Sequence, residues 1–226
     1  MTEYQFSPSE LDFQTKCKRC YYVLKKFSIK SDRGPPPVFS SLDSKQKPYY
    51  KEINTKDWCE GLPDGSFVTS KELPGKITSE GLVDNKKRKF KLTGNPDIVI
   101  RLKDSGYAIY DFKTTNYSAK KAKNYKYQLE SYAQILSRPG KLSKPTPKLT
   151  PIKQMGIIQF SPSKITNHSK KDHKMKFNVA FVELHRDEED FKNHITNLID
   201  LLENPKIPSF SDDCNSCQFT EINSNL

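Results

Sequence analysis

Two Cys-x-x-Cys pairs, Cys17-Lys18-Arg19-Cys20 and Cys214-Asn215-Ser216-Cys217, stand near opposite ends of this chain. No other feature restricts the fold as much. Thiols spaced this way in a reducing compartment usually serve a metal, and four thiolates suit tetrahedral Zn²⁺ or a [4Fe–4S] cluster. If one group takes all four, the residues near both ends meet and the chain between them becomes a closed loop. Ligation would then steady a lean core. Only 34% of the 226 residues are apolar, against roughly 45–50% in an ordinary globular chain. The 13 Phe and 11 Tyr make up part of the deficit, since each buries a large area. Cys59, beside Trp58, reads as a small apolar residue of the interior.

The length suits one domain spanning 1–226. No run of apolar residues is long enough to span a bilayer, and the opening MTEYQFSPSELDF lacks the basic and apolar regions of a secretory leader. A cytoplasmic protein with no membrane partner is expected. Lys and Arg number 38 against 27 acids, a net charge of +11. Such an excess suits polyanions, because cations that neutralise phosphates release condensed counterions. Three basic runs stand out: Lys86, Lys87, Arg88, Lys89 and Lys91; Lys120, Lys121, Lys123 and Lys126; and Lys164, Lys170, Lys171, Lys174 and Lys176. The plainer reading of each is a solvated loop.

Arg33–Pro37, Arg138–Pro151 and Ser161–Lys174 read as connections, the first two from their prolines and the third from its polarity. Asn95–Leu102, Tyr107–Thr114, Gln154–Phe160 and Lys176–Leu184 are rich in β-formers. Tyr125, Leu129, Tyr132, Ala133 and Leu136 recur at helical spacing, and so do Phe191, Ile195, Leu198, Ile199 and Leu202. Acids from Asp187 onward suit the start of that second helix. The order hairpin, helix, two strands, helix specifies an α/β or α+β sheet with helices packed on it.

Lys103-Asp104-Ser105-Gly106 turns the first two strands into a hairpin. With Gly106 at the left-handed corner, Asp97 lies opposite Lys113 with Asp111 diagonally adjacent, and alternation puts Asp111 and Lys113 on one face. Two carboxylates beside an ammonium can hold a hard divalent cation and handle a phosphodiester. The same three groups can equally form an ordinary cross-strand ion pair, which contributes little.

Gly94-Asn95-Pro96-Asp97, Asp111-Phe112-Lys113, and Gln128 with Tyr132 follow in the order G-x-x-D, D-x-K, Q-x-x-x-Y. In this the chain resembles the PD-(D/E)XK nuclease superfamily, above all its RecB-like branch, over about Gly94–Leu136. The resemblance implies a restriction-endonuclease-like α/β fold, a mixed β-sheet core flanked by helices. The nuclease core would span about 72–204 and the cysteine clasp 17–20 and 214–217. It also implies Mg²⁺ or Mn²⁺ held by Asp97, Asp111 and the backbone carbonyl of Phe112. Lys113 would be the catalytic lysine, and Gln128 with Tyr132 would position substrate. The family commonly adds an upstream helical Glu or His. No His precedes His168, so Glu60, Glu72 and Glu80 are the candidates. Glu80 is favoured, because its segment leads towards Gly94.

RecB-like nucleases also carry a [4Fe–4S] cluster on flanking cysteines. The resemblance therefore favours iron–sulfur, while the two-and-two division of cysteines leaves zinc open. Lys120, Lys121, Lys123, Lys126 and Arg88 are expected to meet the backbone of DNA, or RNA. The implied activity is metal-dependent hydrolysis of DNA, as an exonuclease or on single strands. The alternative is a non-catalytic nucleic-acid-binding module of the same fold. Neither Cys-x-x-Cys lies at a strand-to-helix turn, which disfavours a thiol redox protein. The four histidines show no metal spacing.

Overall fold

The computed structural model describes residues 3–11, 17–29, 37–69, 71–73, 75–141, 147–167, 169, 171 and 173–224. In chain order its elements are β1 (Tyr4–Phe6), α1 (Pro8–Leu11), α2 (Lys18–Phe27), α3 (Pro37–Lys51), β2 (Gly65–Phe67), β3 (Ile77–Thr78), β4 (Leu82–Val83), β5 (Lys89–Gly94), β6 (Ile98–Leu102), β7 (Tyr107–Thr114), α4 (Ala119–Ala122), α5 (Lys126–Ser137), β8 (Ile152–Asn167), β9 (His173–Glu183), α6 (Glu188–Glu203) and α7 (Asn215–Ser224). The expected stiff stretch at Arg33–Pro37 falls outside the described residues, except that Pro37 opens α3. No helix among the described residues is long and apolar enough to cross a membrane.

The strands form two sheets. In one, β5 pairs with β1 in parallel and with β3 and β4 antiparallel. The other has the order β2-β6-β7-β8-β9, with β7 and β8 parallel and the remaining neighbours antiparallel. Parallel neighbours need a crossover, which α5 supplies. The result is the expected mixed α/β, restriction-endonuclease-like architecture.

Strand β7 is buried on both faces, as befits a central strand. On one face Val99, Ile109 and Ile157 pack with Leu129, Ile135 and Leu136 of α5 and Ile195, Leu198 and Ile199 of α6. On the other, Ile98, Ile100, Tyr110, Phe112, Ile158 and Phe160 pack with Trp58 and Leu62. Tyr50 of α3 docks on this second face, edge-on to Phe112 at 5.4 Å and tilted against Phe160 at 5.2 Å. Helix α6 begins where its acids predict, with the Asp187 carboxylate accepting the Asp190 N–H at 2.9 Å. Tyr21 and Tyr22 of α2 are buried, whereas Cys59 is half-buried against the second core.

Two expectations need correction. The hairpin register is two residues from the expected one: Ile98 pairs with Tyr110 and Arg101 with Tyr107. Ser105 (φ 72°) takes a left-handed corner ahead of Gly106 (φ 89°), and the Leu102 N–H reaches the Gly106 carbonyl at 3.0 Å. A shift of two preserves the face of every side chain. Asp97, one step before Ile98, therefore comes level with Asp111 instead of Lys113. The polar stretch from Ser161 is not a loop either: β8 continues to Asn167 and pairs with β9 back to His173. Lys164, Lys174 and Lys176 are sheet residues exposed to water, which composition alone does not distinguish from a loop.

Candidate active site

Asp111 and Lys113 alternate onto the α5 face of β7, and their side chains meet with Asp111 Oδ2 and Lys113 Nζ 2.6 Å apart. Asp111 is buried. Its Oδ1 accepts a hydrogen bond from Gln128 Nε2 at 2.8 Å, and the same amide donates to the Tyr132 hydroxyl at 3.4 Å. Gln128 and Tyr132 are one helical turn apart on α5, so both reach the strand. Gly94 makes room for this: a Cβ there would lie 2.6 Å from Pro8 Cγ and 3.0 Å from Tyr132 Cε1. The first glycine of the G-x-x-D pattern is thus a clearance for the tyrosine ring.

Asp111 Oδ2 touches the ammonium but makes no aligned hydrogen bond. Asp111 lines a cavity of about 440 Å³ that also takes in Asp97, Phe112, Lys113, Gln128 and Tyr132. Burial pushes the Asp111 carboxyl up to about 6; Lys113 opposes the rise and Asp97 adds to it. Burial works against the charge of Lys113, but Asp111 outweighs it and holds the ammonium above the usual lysine range. The Lys113 head also sits 4.6 Å from the centre of the Tyr125 ring.

A second wall of the cavity comes from α3, an element the sequence pattern does not reveal. Ser40, Asp43, Gln46 and Lys47 line it. They share one helix face that runs on to Tyr50, the residue that anchors α3 on the sheet. Lys47 Nζ lies 2.8 Å from Asp43 Oδ2 and 2.8 Å from Asp97 Oδ1, clamping the two acids together. The polar spacing 40-43-47 was the available signal, but Pro48 inside the helix obscures it.

Glu80 does not reach this cavity. Its backbone N–H bonds to the Arg138 carbonyl at 2.9 Å, at the C-terminal end of α5, and its exposed side chain lines a different cavity with Arg138 and Glu188. Sequence proximity to Gly94 is offset by the bend between β3 and β5. Glu72 pairs with Arg101 at 2.5 Å, and Glu60 is exposed. Arg88 is also placed elsewhere: its guanidinium is held by Asp84, Asp200 and Glu203 at 2.6–2.7 Å and is only 16% exposed. Lys126 pairs with Asp190 at 2.7 Å, while Lys120, Lys121 and Lys123 are exposed on and beside α4.

Asp97, Asp111 and Asp43 line the cavity with the oxygen donors a hard divalent cation prefers, although among the described residues only the four cysteines bring three or more ligating groups close enough to share one ion. The four cysteines also come together, with all four sulfurs within 4.8 Å of one another. Cys17 stands 3.9 Å from Cys217, and Cys20 is 3.5 Å from Cys214 and 3.4 Å from Cys217. Burial opposes ionisation of Cys17, yet the backbone N–H groups of Cys20 and Ser211 draw its thiol down to about 6. Burial pushes Cys20 up to about 11. Such a group can bind a metal, and a cation would relieve the mutual repulsion of its thiolates.

No curated protein matches this chain. The solved structure titled "Crystal structure of SSO0001" is similar in fold, with a TM-score of 0.56 at 15% identity, covering 98% of this chain and 86% of that one. The sequence profile of the PD-(D/E)XK nuclease superfamily matches residues 66–222, from β2 into α7, taking in the acid–acid–lysine pattern of β6 and β7. A match over well beyond half the chain, on a fold of the same kind, decides the family: this protein belongs to the PD-(D/E)XK nuclease superfamily.

Proposed function

We propose that the chain is a metal-dependent DNA nuclease of the RecB-like type that hydrolyses phosphodiesters at ends or in single strands. The observation that carries this reading is Asp111: buried, ion-paired to Lys113 at 2.6 Å, and lining one cavity with that lysine, Lys47 and two further aspartates. Asp97, Asp111 and the Phe112 carbonyl would hold Mg²⁺ or Mn²⁺, with Asp43 of α3 in the place the sequence suggested for Glu80. The bound cation would supply the positive charge that polarises the phosphodiester and acidifies a water. Gln128 fixes the rotamer of Asp111 by occupying Oδ1, which leaves Oδ2 to Lys113 and to an entering cation. Lys113 places a donor beside the reacting phosphate, where negative charge develops. Tyr132 aligns Gln128. Lys120, Lys121 and Lys123 offer unpaired charge to the backbone of the entering strand.

Lys47 favours a second reading. Its ammonium already neutralises Asp43 and Asp97, as a built-in cation would in a module that binds nucleic acid without cutting it. Incubating end-labelled single-stranded and duplex DNA with Mn²⁺ separates the two. Cleavage that Lys113→Ala abolishes supports the nuclease; metal-independent binding with no cleavage overturns it.

For the clasp, we infer a structural zinc ion. Four sulfurs about one Zn²⁺ at ~2.3 Å would stand roughly 3.8 Å apart, close to the separations of 3.4–3.9 Å described above. A [4Fe–4S] cube spreads its four thiolates over four corners and needs a wider cage. Elemental analysis of anaerobically purified protein should give one zinc per chain. A brown protein containing iron and acid-labile sulfide would reverse the assignment.

A further inference from the structure

Strand β7 ends at Thr114, level with Phe160, but β8 runs on to Asn167 with β9 still paired to it. Past Phe160 the two strands leave the sheet as a ribbon, most of it exposed. Alternation sorts its side chains. Gln159 is level with Lys113 on one side and with Ala180 on the other. Ala180, Asn178, Lys176 and Lys174 therefore continue the face that carries Asp111 and Lys113. Lys164 pairs with Lys176, and Thr166 with Lys174, which adds a third ammonium to that face. Ile165 and Met175 pair on the opposite one.

Two lysines directly opposite each other repel and weaken a strand pair. None of these three ammonium groups has an acidic partner among the described residues. Lys86, Lys91, Lys103 and Lys153, by contrast, each face an acid. A repelling stack left unmatched is stabilised when an external polyanion lies along it.

We propose that the β8–β9 ribbon is an arm whose lysine face grips the phosphate backbone of a duplex flanking the strand presented to the cavity. The proposal rests on the nucleic-acid reading of that cavity and names the form of its substrate. Lys176, the partner of Lys164, lies four residues from Ala180 along β9, a bulge between Pro162 and Lys164 absorbing the extra residue of β8, so their rung is about 13 Å past the Lys113 rung at ~3.3 Å per residue. That equals about four base pairs of duplex at ~3.4 Å each. A two-stranded ribbon also fits a major groove about 12 Å wide. Single strands are held chiefly by stacking on aromatic rings. The lysine face offers Asn178, Thr166 and ammonium groups but no ring, which favours the duplex.

Fluorescence anisotropy in EDTA tests this apart from any cleavage, using a 20-base-pair duplex and a 20-nucleotide single strand. Lys164→Gln, Lys174→Gln and Lys176→Gln combined should weaken duplex binding about tenfold. The slope of log K against log salt should shrink by roughly 2.7, at ~0.9 per phosphate released, and single-strand affinity should move less than about twofold. An unchanged duplex slope, or an equal loss on the single strand, overturns the arm. Ile165→Thr with Met175→Thr, on the opposite face, should leave duplex binding intact; a loss as large as that of the lysine variant overturns the face assignment. Matching circular dichroism and melting midpoints confirm that each variant is folded. If the chain binds duplex in this way but cleaves nothing, the nuclease reading falls and the arm stands.

Discussion

Asp84 and Asp111 are both buried aspartates facing a basic side chain, yet they are built for different ends. Asp84 Oδ1 accepts the N–H groups of Lys86 at 2.9 Å and Arg88 at 2.8 Å, and its Oδ2 is taken by the Arg88 guanidinium. Arg88 in turn binds Asp200, Glu203 and the Thr196 carbonyl. Every acceptor is used, and β5 is thereby tied to α6. Asp111 has one oxygen bonded to Gln128 and one ion-paired to Lys113, at the wall of a cavity. A carboxylate locked by backbone N–H groups and a guanidinium joins elements; one held by an amide and a single ammonium beside a cavity can exchange a partner for a cation.

The sharpest way to break this contrast is to neutralise both. Asp111→Asn should lower DNA cleavage on the order of 10³-fold. It should lower the melting midpoint only slightly, because Asn keeps the contact with Gln128 while the Lys113 ammonium, at the wall of the cavity, can turn to water. Single-turnover kinetics and calorimetry measure the two effects. Asp84→Ala should do the reverse: a loss of about 3 kcal/mol in urea unfolding, from leaving Arg88 short of its closest partner, with cleavage per folded molecule retained. If Asp111→Asn unfolds the protein while Asp84→Ala is silent, the contrast is wrong.

His194 adds a third buried ionisable group. It stacks on Tyr127 at 3.7 Å, and its Nε2–H donates to the Leu11 carbonyl at 3.0 Å. Burial lowers its pKa from 6.5 to about 4, so the folded protein keeps it neutral. Between those values the unfolded chain binds the proton and the folded one does not, so stability falls as pH drops from 6.5 to about 4 and this contribution levels off below. The loss is about 3 kcal/mol. His194→Gln should flatten that part of the pH profile in chemical denaturation. The smallest expected effect is at Lys47. Lys47→Met frees Asp43 and Asp97 from their clamp and should tighten Mn²⁺ binding about five- to tenfold by titration calorimetry, roughly 1 kcal/mol. Weaker Mn²⁺ binding would show that the clamp supports the site.

What was legible in the sequence was local. Helix α5 and the shared face of Asp111 and Lys113 follow from spacing alone, and the four cysteines meet as their pairing implies. The register was off by two because Ser105 adopts a left-handed corner that glycine usually takes, but the face survived because the error was even. Helix α3 was hidden by Pro48 and by a weak apolar pattern, and with it Asp43 and Lys47. The outer ribbon was hidden because a strand exposed on both faces carries no alternation of buried and polar residues. Glu80 and Arg88 were misplaced for a common reason: each is near the motif in sequence, but long-range pairing carries it to Arg138 or to α6.

The thiolate clasp bears on how this molecule resists force. The sulfurs of residues 17–20 and 214–217 lie within 4.8 Å of one another, so with a metal ion bound to all four, tension applied just outside them would be borne first by metal–sulfur bonds and bypass the strands between. Pulled in an optical trap, the loaded protein should hold its full contour until the clasp ruptures, then lengthen in one step as the sheets shear. A chelator would turn that step into gradual yielding at lower load.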